Sequence, residues 1–320
     1  MNIKIGNTPM IKIKYKYNGK EKYIYTKLES YNLTGSIKDR VAYYIIKKAY
    51  QEGKLKKGME IVEATSGNTG IALSAMGSYF GNPVRIYMPN WVSKERQDLM
   101  KMYNADVILV SKEEGGFKKA VENAKEYAKE NNAFLSNQFE NNHNVLAHYE
   151  TTGKEIIEKL GDNIGGFVSG IGTGGTLIGI AKKLKEEINN VKIIALEPDK
   201  MPLLSNGKII GNHKIEGIGD DFIPKIVKKE MIDEIILVND EDSINMSKKI
   251  ALNLGIGVGI SSGANTIASI LANEKTKGNI VTVFPDDNKK YLSTELSSPI
   301  NNNNKEYISN QVELLDYEFV

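Results

Sequence analysis

Short apolar runs that alternate with helical stretches constrain this chain more than any other feature. The runs at 58–65 (GMEIVEAT), 84–89, 105–110 and 133–138 read as strands, with helical patterns such as VSKERQDLMKMYN between them. A second series follows: GGFVSG, VKIIALEP, EIILV and NIVTVFPD. Runs this short, separated by helices, predict parallel sheets covered by helices. Two sheets are expected, divided near Gln138 to Asn144. The chain opens differently. Ile11, Ile13, Tyr15 and Tyr17 alternate with lysines, Asn18-Gly19 follows, and Tyr23 and Tyr25 resume the alternation, which predicts a β-hairpin.

Composition excludes several kinds of chemistry. The chain of 320 residues has no cysteine, so disulfides, zinc–thiolate sites and cysteine nucleophiles are ruled out. It has three histidines, His143, His148 and His213, without metal-ligand or triad spacing, and no metal site is expected. The net charge of +2 gives no field favouring nucleic acid or a membrane surface. No apolar run is long enough to span a bilayer, and MNIKIGNTPM lacks a secretory apolar segment, so a cytoplasmic enzyme is expected. The polar tail from Ser297, with NNNN at 301–304, reads as loose, and its end, VELLDYEFV, as a segment that docks elsewhere.

Four loops could carry chemistry. GIGTGG at 170–175 lies between a strand and a helix, with Thr173 and Thr176 beside the glycines and Glu197 about twenty residues on. The spacing is that of a dinucleotide fingerprint. Physically it implies only an anion, a phosphate, held by free N–H groups at a helix start; a tight turn with close helix packing would use the same glycines. In NLTGSIKDR, Lys38 stands among small and polar residues, where an ordinary helix start capped by Ser36 would look the same. EATSGNTGIALS is a second strand–loop–helix, able to bind a carboxylate through backbone N–H groups and Thr65, Ser66 and Thr69. GIGVGISSGANTIAS puts Ser261 and Ser262 at a helix start, where simple capping is the plainer reading.

Taken in order, IGNTPM, NLTGSIKDR, TSGNTG, NQFENNHN, HYETTGKEI, SGIGTGGT, EGIGDDFIP, GISSGAN and PDDNKKYLST resemble the pyridoxal-phosphate enzymes of fold type II, in the cysteine synthase (O-acetylserine sulfhydrylase) and cystathionine β-synthase group. The resemblance runs from about Gly6 to Thr294. It implies an α/β fold of two domains, each a mostly parallel twisted sheet flanked by helices, as in tryptophan synthase β. The expected boundaries are 1–39 plus 141–296 for a large cofactor-binding domain, 40–140 for a small mobile domain that closes over the cofactor, and 297–320 for the tail. It also implies a homodimer and an amino-acid substrate. By resemblance, Lys38 holds pyridoxal 5'-phosphate as a Schiff base and then serves as base and acid at the substrate α-carbon. Gly172, Thr173, Gly174, Gly175 and Thr176 match the phosphate loop, Asn68 the amide on the ring hydroxyl, and Ser261 the hydroxyl facing the pyridine nitrogen. Thr65, Ser66, Thr69 and Gln138 match the groups on the substrate carboxylate. A neutral serine at the ring nitrogen suits β-elimination, which needs less carbanion stabilisation than an aspartate partner would give. A nicotinamide oxidoreductase would explain 168–198 but leave Lys38, TSGNTG and GISSGAN without a purpose. A binding protein that kept the fold without the chemistry is disfavoured by the intact Lys38.

Within that group, the aliphatic Ile37 before the lysine points to β-replacement rather than dehydration, whose branch carries Phe there. GIGDDFIP departs from the small pair usual in cysteine synthases. Asp221 matches the cystathionine β-synthase form, and Asp220 matches neither. A carboxylate near the substrate β-carbon would deprotonate water or a thiol and repel hydrosulfide. The expectation is that one of the two aspartates activates such a nucleophile, so that cysteine gives hydrogen sulfide plus serine or a thioether; both acids on a solvated loop, with plain O-acetylserine sulfhydrylase or cystathionine β-synthase activity, is the alternative. Leu33, where the family has Pro, and PDDNKK, where it has PDxGER, put loop details in question. With no cysteine to ligate haem and no tandem regulatory module in view, a regulated haem-bearing enzyme is not expected.

Overall fold

The structure, a computed structural model, describes residues 3–301 and 303–320; Met1, Asn2 and Asn302, the last within the NNNN stretch, lie outside the described residues. The hairpin forms as the alternation requires. Strands β1 (Met10–Tyr17) and β2 (Lys20–Leu28) pair antiparallel with Tyr17 opposite Lys20. Asn18 and Gly19 take φ of 49° and 74°, the two left-handed residues that a hairpin turn matching strand twist demands.

From there the chain alternates. Strands β3 (Ile61–Ala64), β4 (Val84–Pro89), β5 (Asp106–Val110) and β6 (Phe134–Leu135) form a four-stranded parallel sheet in the order β5-β4-β3-β6. Strands β7 (Ile164–Gly170), β8 (Lys192–Pro198), β9 (Glu234–Val238), β10 (Asn279–Phe284) and β11 (Glu313–Phe319) join the hairpin in a seven-stranded sheet, β11-β1-β2-β10-β7-β8-β9. Only the β11–β1 and β1–β2 pairings of that sheet are antiparallel.

Alternation within buried strands supplies both faces of each core. Val168, Ile194 and Leu196 pack against the helix Ile260–Asn273, whereas their neighbours Phe167, Ile193 and Ala195 pack against Leu177, Ile180 and Leu184 of the helix Gly175–Glu187. In the small sheet Ile61, Ile86 and Met88 face Ile71 and Met76 of the helix Asn68–Phe80, while Val62, Ala64 and Tyr87 face Ala120 and Ala124 of the helix Gly116–Glu130. The helix Lys38–Gln51 buries Ala42, Ile46 and Ala49 in the small-sheet core. Among the described residues no helix is long and apolar enough to cross a membrane.

The docking segment VELLDYEFV becomes β11, lying against β1 with Lys12 opposite Glu318, Lys14 opposite Asp316 and Lys16 opposite Glu313. Asn301 is not loose at its backbone: it exchanges hydrogen bonds with the side chain of Asn245. Loops that leave the carboxyl ends of β3, β7 and β10 meet between the two sheets, where ligands of open α/β sheets collect.

Candidate active site

A cleft of about 840 Å³ opens between the sheets. It is lined by Lys38, Thr65, Ser66, Asn68, Thr69, Gln138, Gly172, Thr173, Gly174, Thr176, Asp220, Asp221 and Ser261, so nearly every residue singled out in the sequence meets the same space. Gly175 is buried just behind it, in the first turn of the helix Gly175–Glu187.

Lys38 begins the helix Lys38–Gln51, its N–H bonded to the Ser36 hydroxyl at 3.3 Å. Burial pushes its amine below the ordinary lysine range, opposed by the charges of Asp220 and Asp286. Two residues on, Arg40 anchors that helix. Its guanidinium donates to Glu29 at 2.7 and 2.9 Å and to Glu155 at 2.6 and 2.8 Å, with Lys27 closing the network 2.8 Å from Glu155.

The 172–176 loop is a cradle with no spare volume. A Cβ on Gly172 would meet the Gly217 carbonyl, one on Gly175 the Asn144 side chain, and one on Gly174 the Val227 methyl. Gly174 also has φ +86°, a conformation glycine tolerates and other residues resist. Asn144 Nδ2 donates to Thr173 Oγ1 at 2.9 Å and leaves its Oδ1 buried without a partner. Thr176 Oγ1 lies 3.3 Å from Nε2 of the buried His148, whose Nδ1 lies 2.9 Å from Thr152 Oγ1. Burial, with Lys38 and Arg40 adding to it, holds that imidazole neutral, well below its usual pKa. His148 starts a π-helical turn, His148–Gly153. Thr173, Gly174 and Thr176 therefore line the cleft at the N-terminus of a thirteen-residue helix, a fit for a phosphate ester.

Across the cleft the 65–69 loop is held from behind. Thr69 Oγ1 donates to Gln138 Oε1 at 2.6 Å, and Gln138 Nε2 donates to the Ala64 carbonyl at 3.1 Å. The buried Glu63 accepts from Ser136 at 2.6 Å and from Gln138 N at 2.9 Å; burial raises its pKa. Asn68 Nδ2 donates to Asp286 Oδ2 at 2.7 Å, which leaves Asn68 Oδ1 without a partner at the cleft wall. Ser261, in the first turn of the helix Ile260–Asn273, is 5% exposed and shares the cleft. The orphaned Asn68 Oδ1 on one side, and the glycine cradle with its hydroxyls on the other, suit a flat ring carrying a hydroxyl and a phosphate.

The two aspartates differ. Asp221 is exposed, whereas Asp220 is half-buried. Burial, then the like charge of Asp221, pushes Asp220 up to about 6, while Lys38 opposes the rise. Glu197, the acid that a dinucleotide reading would assign to a ribose, instead accepts from the N–H groups of Leu204 and Ser205 at 2.6 and 3.1 Å. Sequence reasoning gave no role to Asn144, His148, Asp286, Glu63 or Arg96, although all five stand within quoted stretches.

A family profile described as pyridoxal-phosphate dependent enzyme matches residues 1–286. A cysteine synthase of Staphylococcus aureus is 43% identical over 297 residues, spanning 92% of this chain and 95% of its own. Cysteine synthase B of Campylobacter jejuni is 43% identical over 295 residues, 91% of this chain and 96% of its own. The crystal structure of a hydrogen sulfide-producing enzyme from Fusobacterium nucleatum superposes with a TM-score of 0.94 at 49% identity, covering 99% of this chain and 97% of that one.

Proposed function

Because the chain belongs to the pyridoxal-phosphate dependent enzymes, we propose that it removes the β-substituent of a β-substituted L-alanine and places a nucleophile there, in sulfur amino-acid metabolism. The bound cofactor, pyridoxal 5'-phosphate, supplies an electron sink that acidifies the substrate α-carbon. The residues of this chain do the rest. Thr173, Thr176 and the N–H groups around Gly174 and Gly175 bind the phosphate, Asn68 orients the ring, and Ser261 is the neutral neighbour of the ring nitrogen. Lys38 Nζ would be the covalent anchor and the group that moves the proton at the α-carbon; burial lowers its pKa, which favours the free amine that a base needs. Thr65, Ser66, Thr69 and Gln138 take the substrate carboxylate.

The observation that carries the finer reading is Asp220, half-buried in the cleft and close enough to Lys38 for each to shift the other. A carboxyl with a pKa of about 6 is a carboxylate at pH 7 and accepts a proton from incoming water or thiol. L-Cysteine is then the substrate, hydrogen sulfide the leaving product, and serine or a thioether the other product. The likeness to a hydrogen sulfide-producing enzyme at 49% identity supports this. The cysteine synthases at 43% identity favour a second reading, in which O-acetylserine and sulfide give cysteine. Product analysis with L-cysteine and with O-acetylserine separates the two. Asp220→Asn is expected to suppress sulfide release from cysteine, and Asp221→Asn to leave it intact; equal sulfide release by the wild type and both variants overturns the Asp220 role. A cytoplasmic homodimer, with 40–140 as a mobile unit, belongs to the same reading, and light scattering on the purified protein tests the dimer.

A further inference from the structure

The N-terminal turn of the helix Lys94–Met102 belongs to the small-sheet side yet docks across the cleft. Ser93 Oγ donates to the Lys290 carbonyl at 3.4 Å, and Glu95 accepts from Ser293 N and Oγ at 3.0 and 2.8 Å. The Glu95–Ser293 bonds are solvent-exposed and the part-buried Ser93 bond is long, so these contacts hold little. Arg96 is different. It is 3% exposed, pairs with Glu216 on the opposite wall, and stacks its guanidinium 4.8 Å from the Tyr291 ring centroid. Its Nε has no hydrogen-bond partner although buried. On its near side it fills the space under Gly67: a Cβ there would lie 3.1 Å from that nitrogen.

Each of these partners leads to a part of the site. Gly67 sits within the 65–69 loop. Glu216 precedes Gly217, whose carbonyl abuts Gly172 of the phosphate loop, and stands four residues before Asp220. Tyr291 OH donates to Asp286 Oδ2 at 2.8 Å, the oxygen that also receives Asn68. One cation thus touches groups on both walls, and movement of the small-sheet side away from the large sheet would separate Arg96 from Glu216 and Tyr291.

We propose that Arg96 is a positioning residue that clasps the cleft shut, seating the substrate loop through Gly67 and the Asp220 loop through Glu216. The proposal rests on the cofactor-bound amino-acid enzyme described above, not on the identity of its nucleophile. L-Alanine is a suitable probe because it carries the carboxylate but no β leaving group. The one tryptophan, Trp91, lines the same cleft and reports closure by its emission.

The holoenzyme, Arg96→Ala, Arg96→Lys, Glu216→Gln and the double variant Arg96→Ala/Glu216→Gln are titrated with L-alanine, following Trp91 emission and recording the visible cofactor band of every sample. Arg96→Ala and Glu216→Gln are each expected to weaken L-alanine binding about tenfold, with the double variant no weaker than the weaker single, as residues acting through one contact behave. Arg96→Lys recovers part of the loss. In turnover KM rises more than kcat falls. Additive losses, or a wild-type L-alanine affinity and Trp91 response in the single variants, overturn the clasp while the cofactor reading stands. A wild-type protein with no visible cofactor band overturns both. Should Arg96→Ala fail to fold, Glu216→Gln, altered at a partly exposed side chain, still decides the question.

Discussion

The side-chain amide of Asn68 donates to the buried carboxylate of Asp286 at 2.7 Å, which fixes which way that amide faces. Flipping it would set two oxygens against each other. With Nδ2 taken, the unpartnered Oδ1 is what Asn68 can offer a ring hydroxyl. Asp286→Ala frees the amide to rotate. Losing a hydrogen bond to a charged group costs about 1.5–3 kcal/mol, so apoenzyme is expected to bind pyridoxal phosphate roughly 10- to 100-fold more weakly, with a shifted visible band. Asp286→Asn, which keeps one acceptor, loses less. Unchanged affinity and spectrum in Asp286→Ala would show that Asn68 needs no such support.

On the proposed reading, Asp220 sets two pH dependences. Its folded pKa of about 6 lies above the unfolded 3.8, so protonation favours the folded state and the carboxylate disfavours it. Sulfide release from cysteine is expected to fall below about pH 6, with that limb absent in Asp220→Asn. Stability moves oppositely: Asp220→Asn gains on the order of 1–2 kcal/mol at pH 8, after a discount for partial exposure. The gain shrinks between pH 6 and 3.8 and vanishes below, where both states are protonated. Denaturant midpoints across that window test the sign.

Gly174→Ala strains a backbone at φ +86° and drives a methyl into Val227. Overpacking of this kind costs roughly 1–3 kcal/mol, and φ > 0 adds about 1 kcal/mol for a residue with a Cβ. The cradle must open to admit the methyl, so weaker phosphate binding should accompany the lower melting temperature. A variant that loses stability yet keeps cofactor affinity would place the phosphate elsewhere.

Local patterns made much of this fold legible. Asn18-Gly19 marked the hairpin, and VRIYMP and EIILV coincide with β4 and β9. The run at 133–138 predicts a longer strand than forms. Only Phe134–Leu135 is strand, because Asn137 turns at φ 52° and delivers Gln138 to the cleft. The place where VELLDYEFV docks was illegible, since its partner β1 lies about 300 residues away and only the facing charges hint at it. The site divides the same way. Lys38 and the loops at 65–69 and 172–176 are short contiguous motifs. Arg96–Glu216 and Asn68–Asp286 join residues 120 and 218 positions apart, and no spacing rule reaches them.

Behind Lys38, Arg40 and Lys27 share the carboxylates of Glu29 and Glu155. Burial alone would raise the carboxyl of Glu155, but hydrogen bonds and charge from Arg40, then Lys27, pull it down to about 2. Glu29, wholly buried and bonded to Arg40, Thr8 and Asn32, is also lowered. A depressed carboxylate stabilises the fold above its unfolded pKa of 4.5 and loses that contribution as pH falls toward 2. A drop of that size corresponds to roughly 3 kcal/mol. Glu155→Gln should therefore destabilise the protein by about 2–3 kcal/mol at pH 7, because Arg40 and Lys27 lose their buried counter-charge. The deficit should narrow between pH 4.5 and 2, where the wild type protonates. Since Arg40 anchors the helix that Lys38 begins, the variant should also bind cofactor more weakly at pH 7. A deficit that stays constant with pH would mean that Glu155 contributes packing and hydrogen bonds but no net charge stabilisation.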